Sequence, residues 1–252
     1  SATNINAGLM RFSDHGGPIL YPTTNIDQSI DAQLSSSTNA SANDGYEISS
    51  SVYTNTDEII LSFSRSPVTS AFRFEDLNIP RGATITSAYL KFTSAQYNIA
   101  STNITIAGEL TGDSSALTSA SGSISSKTQT AAVIDWSTDN DFPSGGDDVS
   151  SPDIAPVIQE IIDQSSWCGN NALTVLINGE GTSTSSNRRV MAYDDGTGTA
   201  PQLVISYDQT SATGCVAGEA QYQIADSYDN MEEATNGWES TGRELTFRDS
   251  SN

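Results

Sequence analysis

Short runs of alternating apolar and polar residues recur along the chain, with the period of two expected of half-buried β-strands. Ile59, Leu61 and Phe63 make one such face, and Phe72 with Phe74 another. Ala88, Leu90 and Phe92 alternate with Tyr89, Lys91 and Thr93. Ile104, Ile106 and Leu110 alternate with Thr105, Ala107 and Glu109. The series continues through Ala132, Ile134 and Trp136, then Leu173, Val175 and Ile177, and closes on Leu203, Ile205 and Tyr207. Strands with one apolar face, separated by polar loops, predict an all-β chain whose two antiparallel sheets pack face to face as a sandwich.

One segment departs from this period. In residues 151–167 the apolar positions Ile154, Val157, Ile158, Ile161 and Ile162 fall at helical spacing. Asp153 is placed to cap the start, Pro156 falls in the first turn where a missing N–H costs nothing, and Gly169 is a plausible terminator. The expectation is one short helix covering an end of the sandwich. After Gly214 the pattern changes again, with strand-like pieces around Tyr222–Tyr228 and Glu244–Phe247. This tail loosely echoes the region from Ile26 to Ser51. It is either the opening of a second copy of the module or a chance pairing of acidic strands.

Composition narrows the chemistry. Only 36% of the 252 residues are hydrophobic, and Ser, Thr, Asn and Gly fill the intervals between strands. The formal net charge is −21, from 31 acidic and 10 basic residues, which repels phosphate backbones and argues against nucleic-acid binding. Such a charge suits a secreted protein able to bind cations, or simply a soluble one. No run approaches the roughly 18 apolar residues of a membrane span. The chain opens on Ser1 with no signal peptide, so it reads as a mature or excised piece. Its two cysteines, Cys168 and Cys215, are compatible with one disulfide in an oxidising compartment, worth about 4 kcal/mol by loop closure. Two buried free thiols are the alternative.

The lone histidine, His15, lies near the start, which removes Ser-His-Asp and Cys-His catalysis from the body of the chain. A carboxylate pair suited to a glycosidase carries little weight among 31 acidic residues, so the expectation is no enzyme. Calcium is the most credible ligand. The loop DWSTDNDFPSGGDD offers Asp135, Asp139, Asn140, Asp141, Asp147 and Asp148 as oxygen donors, without the closing glutamate of an EF-hand. A solvated loop without metal is the competing reading, and Asp194, Asp195 and Asp208 form a second cluster. Tyr46, Tyr53, Tyr97, Tyr193 and Trp238 are candidate sugar-stacking rings or half-buried sandwich residues. Arg188 and Arg189 either grip an acidic sugar or partner carboxylate, or neutralise neighbouring aspartates.

The stretch AFRFEDLNIPRGATITSAYLKFTS, residues 71–94, resembles the signature of DNRLRE-type jelly-roll modules of large secreted bacterial proteins. Arg73–Phe74, Ile79–Pro80, Gly82–Ala83, Ile85, Ser87–Ala88, Leu90 and Phe92 carry the match. SPDIAPVIQEIIDQSSWCGNNALTVLI and NRRVMAYDDGTGTAPQLVISYD look like the helix and final strands of the same modules, so the resemblance spans about residues 25–210. Residues 1–24, with NINAGLMRFSDHGGPILYP, look like a late strand of a von Willebrand factor A domain. In type IV pilus tip-associated adhesins of the PilY type, such a strand leads into a module of this kind. Within 211–252, SYDNMEEATNG resembles the opening of another module. The metal-adhesion motif of the A domain is missing.

The resemblance implies an extracellular, non-catalytic adhesion or structural module of a larger bacterial surface or pilus-associated protein, with calcium as stabiliser and neighbouring modules as partners. A carbohydrate-binding module on surface glycans, or a fibre subunit joined by strand complementation, are the alternatives. The helix end and module exit would then be tied by a Cys168–Cys215 bond.

Overall fold

The structure, a computed structural model, describes residues 10–12, 18–20, 32–98, 100–136, 142 and 144–214. These all fall in the first of two units, Ser1–Ala217 and Gly218–Asn252. His15 and the strands expected at 222–228 and 244–247 lie outside the described residues. In chain order the strands begin with β1 (Met10–Phe12), β2 (Pro18–Leu20), β3 (Ala32–Ser37), β4 (Asp44–Ile48) and β5 (Ser51–Tyr53). Next come β6 (Glu58–Phe63), β7 (Val68–Leu77), β8 (Thr84–Thr93), β9 (Thr102–Gly108), β10 (Ile134–Trp136) and β11 (Asp148–Ser150). Helix α1 (Ala155–Ile162) precedes β12 (Asn171–Gly181), β13 (Asn187–Met191) and β14 (Gln202–Asp208). β1 and β2 pair with each other as an antiparallel hairpin.

The remaining strands make an all-β, antiparallel sandwich. One layer has the order β10-β9-β12-β7-β4-β5. The other is β11-β8-β14-β3, continued by the β13–β6 pair through a bridge between Ser94 and Val190. The apolar faces read from the alternation meet between the layers. Phe72 of β7 lies 5.0 Å from Phe92 of β8, ring centre to ring centre, and Leu90, Ile106, Leu173, Val175, Leu203 and Ile205 are all buried in the same core. β6 approaches β12 so closely that a Cβ at Gly179 would overlap the Leu61 carbonyl, so only glycine fits there.

Helix α1 closes one end, burying Val157, Ile158, Ile161 and Ile162 as its spacing predicts. Gln159 accepts from the Ile85 N–H at 2.8 Å and donates to the Ala83 carbonyl at 3.0 Å. Glu160 accepts from the N–H groups of Ala131 and Ala132 at 2.8 Å each. The helix therefore bridges both layers.

Three local expectations need correction. The helix is only eight residues long, and its cap position is Ile154 rather than Asp153. Asp153 still accepts from the Ala155 N–H at 3.0 Å, but it also binds the Ala88 N–H at 2.9 Å, anchoring the entry to β8. The helix stops at Asp163, well before Gly169, because the chain must turn to bury Trp167, whose indole N–H donates to the Ile79 carbonyl at 2.9 Å. Finally, the strand expected to reach Leu110 ends at Gly108. The helix packs there, and a Cβ at Gly108 would come within 2.5 Å of Ile161 Cδ1.

A segment to which the periodicity assigns nothing, residues 111–131, forms a strap over the outer face of the first layer. Leu117 and Ile124 pack there on Ala71 and Leu176 as a second apolar cluster. The buried Glu47 carboxylate fastens the strap by accepting the N–H groups of Gly122 at 2.9 Å, Ile124 at 3.2 Å and Ser125 at 2.9 Å. Among the described residues no helix is long and apolar enough to cross a membrane.

Candidate functional site

At the free edge of the first layer, β4 and β5 place Tyr46 directly opposite Tyr53. The two-residue turn between them uses Ser49 and Ser50, both in the left-handed region (φ 50° and 66°), as a tight hairpin requires. The rings stack, with centres 4.9 Å apart and planes 18° apart. Tyr46 is buried and Tyr53 is 42% exposed. A buried ring thus backs an exposed one on rigid strands. Arg189 on β13 pairs with Glu58 on β6 at 3.0 Å, both partly exposed. Burial pushes the Tyr46 hydroxyl upward, with Tyr53 adding to it, while Arg189 pulls it down and Glu58 raises it. Those opposing influences put the Tyr46–Tyr53 stack and the Arg189–Glu58 pair in one neighbourhood. The carboxylate that Arg189 meets is Glu58 on the neighbouring strand rather than an aspartate.

Arg188, expected as a ligand-binding partner of Arg189, is corrected. Its strand alternates, so when Arg189 faces out Arg188 points into the core, where it is 0% exposed. Its guanidinium donates to the Ala100 carbonyl at 2.6 Å, the Asn187 carbonyl at 3.0 Å and Asn98 Oδ1 at 2.9 Å. It also lies 5.3 Å over the Phe142 ring, a cation–π distance. Arg188 is an internal clamp on the 98–100 loop and offers nothing to an external ligand.

Of the loop expected to hold calcium, Asp139, Asn140 and Asp141 lie outside the described residues. Asp135 is exposed on β10, an edge of the first layer, while Asp147 and Asp148 are exposed around the start of β11 in the second. Among the described residues no group of three or more His, Cys, Asp or Glu side chains is arranged to hold a metal ion. The second predicted cluster is divided. Asp208 ends β14 and accepts the Thr210 N–H at 2.7 Å, whereas Asp194 and Asp195 lie in the 3-10 turn before that strand begins. Seven extended residues separate these ends by about 20 Å.

The turn holding Asp194 and Asp195 instead meets Asp44, which binds the Tyr193 N–H of that turn. Asp44 opens β4 and is 1% exposed. Its Oδ2 accepts the Tyr193 N–H at 2.8 Å and the Thr38 hydroxyl at 3.2 Å, while its Oδ1 has no partner among the described residues. Asp194 Oδ1 accepts the Ser41 hydroxyl at 2.6 Å, and its buried Oδ2 is likewise without a partner among the described residues. Asp195 is committed elsewhere, accepting from Thr197 at 2.7 Å and from the Thr199 hydroxyl. Burial raises the Asp44 carboxyl to about 6, against the Tyr193 N–H and Thr38 hydroxyl that lower it, with the charges of Asp194 and Asp195 adding to the rise. An aspartate at a strand start beside the polar run SSSTNASAND carries no spacing signature, which is why the sequence hides it.

Tyr193 is 41% exposed above this cluster and Tyr97 is 63% exposed on its own loop. Trp238 lies outside the described residues, as does Cys215. Cys168 carries no free thiol and follows Trp167 at the point where three segments meet. Arg81 donates to the Ser165 carbonyl at 2.9 Å and forms an isolated antiparallel bridge with Gly214.

No protein-family model matches the chain, and no curated protein sequence does. Among solved structures, the enzymatically active domain of tailspike protein 4 from bacteriophage CBA120 is similar at a TM-score of 0.24 and 10% identity. The alignment covers 70% of this chain and 19% of the tailspike chain. At that level the likeness carries no inference about fold or activity.

Proposed function

We propose that the chain is a non-catalytic adhesion module of a larger extracellular bacterial surface or pilus-associated protein, and that the Tyr53 edge is its contact surface. The observation that carries this reading is the exposed Tyr53 ring, held by stacking on the buried Tyr46. A flat ring fixed on a strand is a low-entropy platform for the apolar face of a sugar, and the Arg189–Glu58 pair nearby supplies a donor and an acceptor for hydroxyl groups. The resemblance of residues 71–94 to secreted jelly-roll modules supports the extracellular setting. Calcium acts as a stabiliser, and a Cys168–Cys215 bond ties the helix end to the exit.

The test is binding of the purified chain to neutral and acidic polysaccharides, with Tyr53→Ala beside it. Loss of one stacked ring is expected to weaken binding about tenfold while the melting temperature stays close to the parent value. Silence of the parent protein across such a panel would remove the glycan-contact reading.

A second reading is a fibre subunit completed by a neighbour's strand. It rests on β3, the outermost described strand of the second layer, whose outer edge is of the kind an added strand can pair with.

A further inference from the structure

The pairing of Asp44 and Asp194 leaves an asymmetry that the described hydrogen bonds do not resolve. Each carboxylate has one oxygen satisfied and one buried oxygen without a partner among the described residues. Leaving one such acceptor buried costs free energy, and leaving two on neighbouring acids compounds it through like-charge repulsion. Among the described residues no lysine or arginine pairs with either acid; Arg73, the guanidinium bound to the adjoining loop, is engaged by Glu75 and Asn43. A ligand bridging the two would meet two carboxylate oxygens at once, which suits positive charge.

We propose that Asp44 Oδ1 and Asp194 Oδ2 are the two anionic ligands of a calcium site joining the loop between β3 and β4 to the turn before β14. Hard divalent cations with flexible coordination take oxygen donors of mixed charge. The hydroxyls of Ser41 and Thr38 bind the other oxygen of each carboxylate and hold it in place. Water and main-chain carbonyls complete such a shell in calcium sites generally. Three carboxylates in the neighbourhood, with Asp195 as the unliganded third, supply the electrostatic attraction. The site differs from the acidic loop at 135–148 and crosslinks the connections at the adjoining ends of the paired strands β3 and β14. It rests only on the calcium part of the function proposed above; sugar contact at Tyr53 is not required.

The probe is calcium chloride on the whole 252-residue chain at neutral pH, read by thermal unfolding against a chelator and by titration calorimetry. A single calcium-dependent rise in melting temperature is expected, with one ion bound. Asp194→Asn and Asp44→Asn should each weaken calcium affinity by roughly tenfold or more, since charge count sets affinity in oxygen sites. Asp194 is only partly buried, so that variant folds even where Asp44→Asn does not. Asp135→Asn, Asp147→Asn and Tyr53→Ala should leave the calcium response intact, and the last separates this site from the glycan reading. The proposal is overturned if the parent chain shows no calcium response, meaning the two acids share a proton instead. A response kept by both Asp44→Asn and Asp194→Asn, or lost in Asp135→Asn or Asp147→Asn, overturns it equally by placing the ion elsewhere.

Discussion

Arg188 and Arg189 are neighbours in sequence with opposite fates, because successive side chains on a strand point to opposite sides. Arg189 reaches Glu58 at the surface, where such a pair contributes little net stability. Arg188 loses its hydration entirely, and its burial is tolerated because carbonyls, an amide oxygen and the Phe142 face replace water. Arg188→Ala removes all of these and takes the donor from the Ala100 and Asn187 carbonyls. Its expected cost is about 3 kcal/mol in urea unfolding, against a few tenths for Arg189→Ala. Equal costs for the two variants would contradict the assignment of Arg188 as a core clamp.

At the scale of elements, the strap at 111–131 depends on one carboxylate. Burial drives the Glu47 carboxyl upward, but the N–H groups of Ser125, Gly122 and Ile124 and the Ser125 hydroxyl together outweigh it and hold the group below its ordinary 4.5. A carboxyl with a lowered folded value contributes stability that is full above the unfolded value and fades as pH falls through the folded one. Acidification below about 4.5 should therefore begin to loosen the strap, and release follows as pH falls through the lower folded value. Glu47→Gln should do the same at neutral pH at a cost of about 2 kcal/mol. Hydrogen exchange is the measurement: amides of 117–126 should lose protection in the variant while β7 and β12 beneath them keep theirs. Uniform loss across the first layer would mean that the strap and sheet unfold as one.

For the whole molecule, two sets of contacts gather at the helix end of the sandwich. Helix α1 spans the layers there through Gln159 and Glu160. Near it, the turn at 79–82 collects the Trp167 indole, the Ser165 carbonyl and the exit at 211–214, where the Thr213 N–H donates to the Arg81 carbonyl at 2.8 Å. This convergence brings the exit to the segment that carries Cys168, which supports the proposed bond to Cys215 as a boundary clasp. Reduction should raise exchange at 209–214 and leave the core strands protected, since the Phe72–Phe92 interface does not involve the clasp. Global collapse on reduction, seen as exchange in β7, β8 and β12, would show that the bond supports the core itself.

The alternation of apolar residues was enough to determine the sandwich, because burial of one strand face against another leaves a period-two trace in any sequence that achieves it. Phe72, Phe92, Leu173 and Ile205 all sit where that trace places them. The same holds for the helical stripe of Ile154 to Ile162, whose burial follows from spacing alone. Only tertiary structure decided what the polar residues do. Asp44, Glu47 and Arg188 acquire their roles from backbone groups and carboxylates 75 to 150 positions away or across the core, as Asp44 does from Tyr193 at a separation of 149. Such contacts leave no local period to read. The acidic loop stood out by composition, yet its described acids are exposed on separate layers, while the buried Asp44, bound to the turn that carries the partly buried Asp194, belongs to no motif. Hydrophobic burial is encoded locally and repeatedly; polar satisfaction depends on which distant groups the finished fold brings into reach.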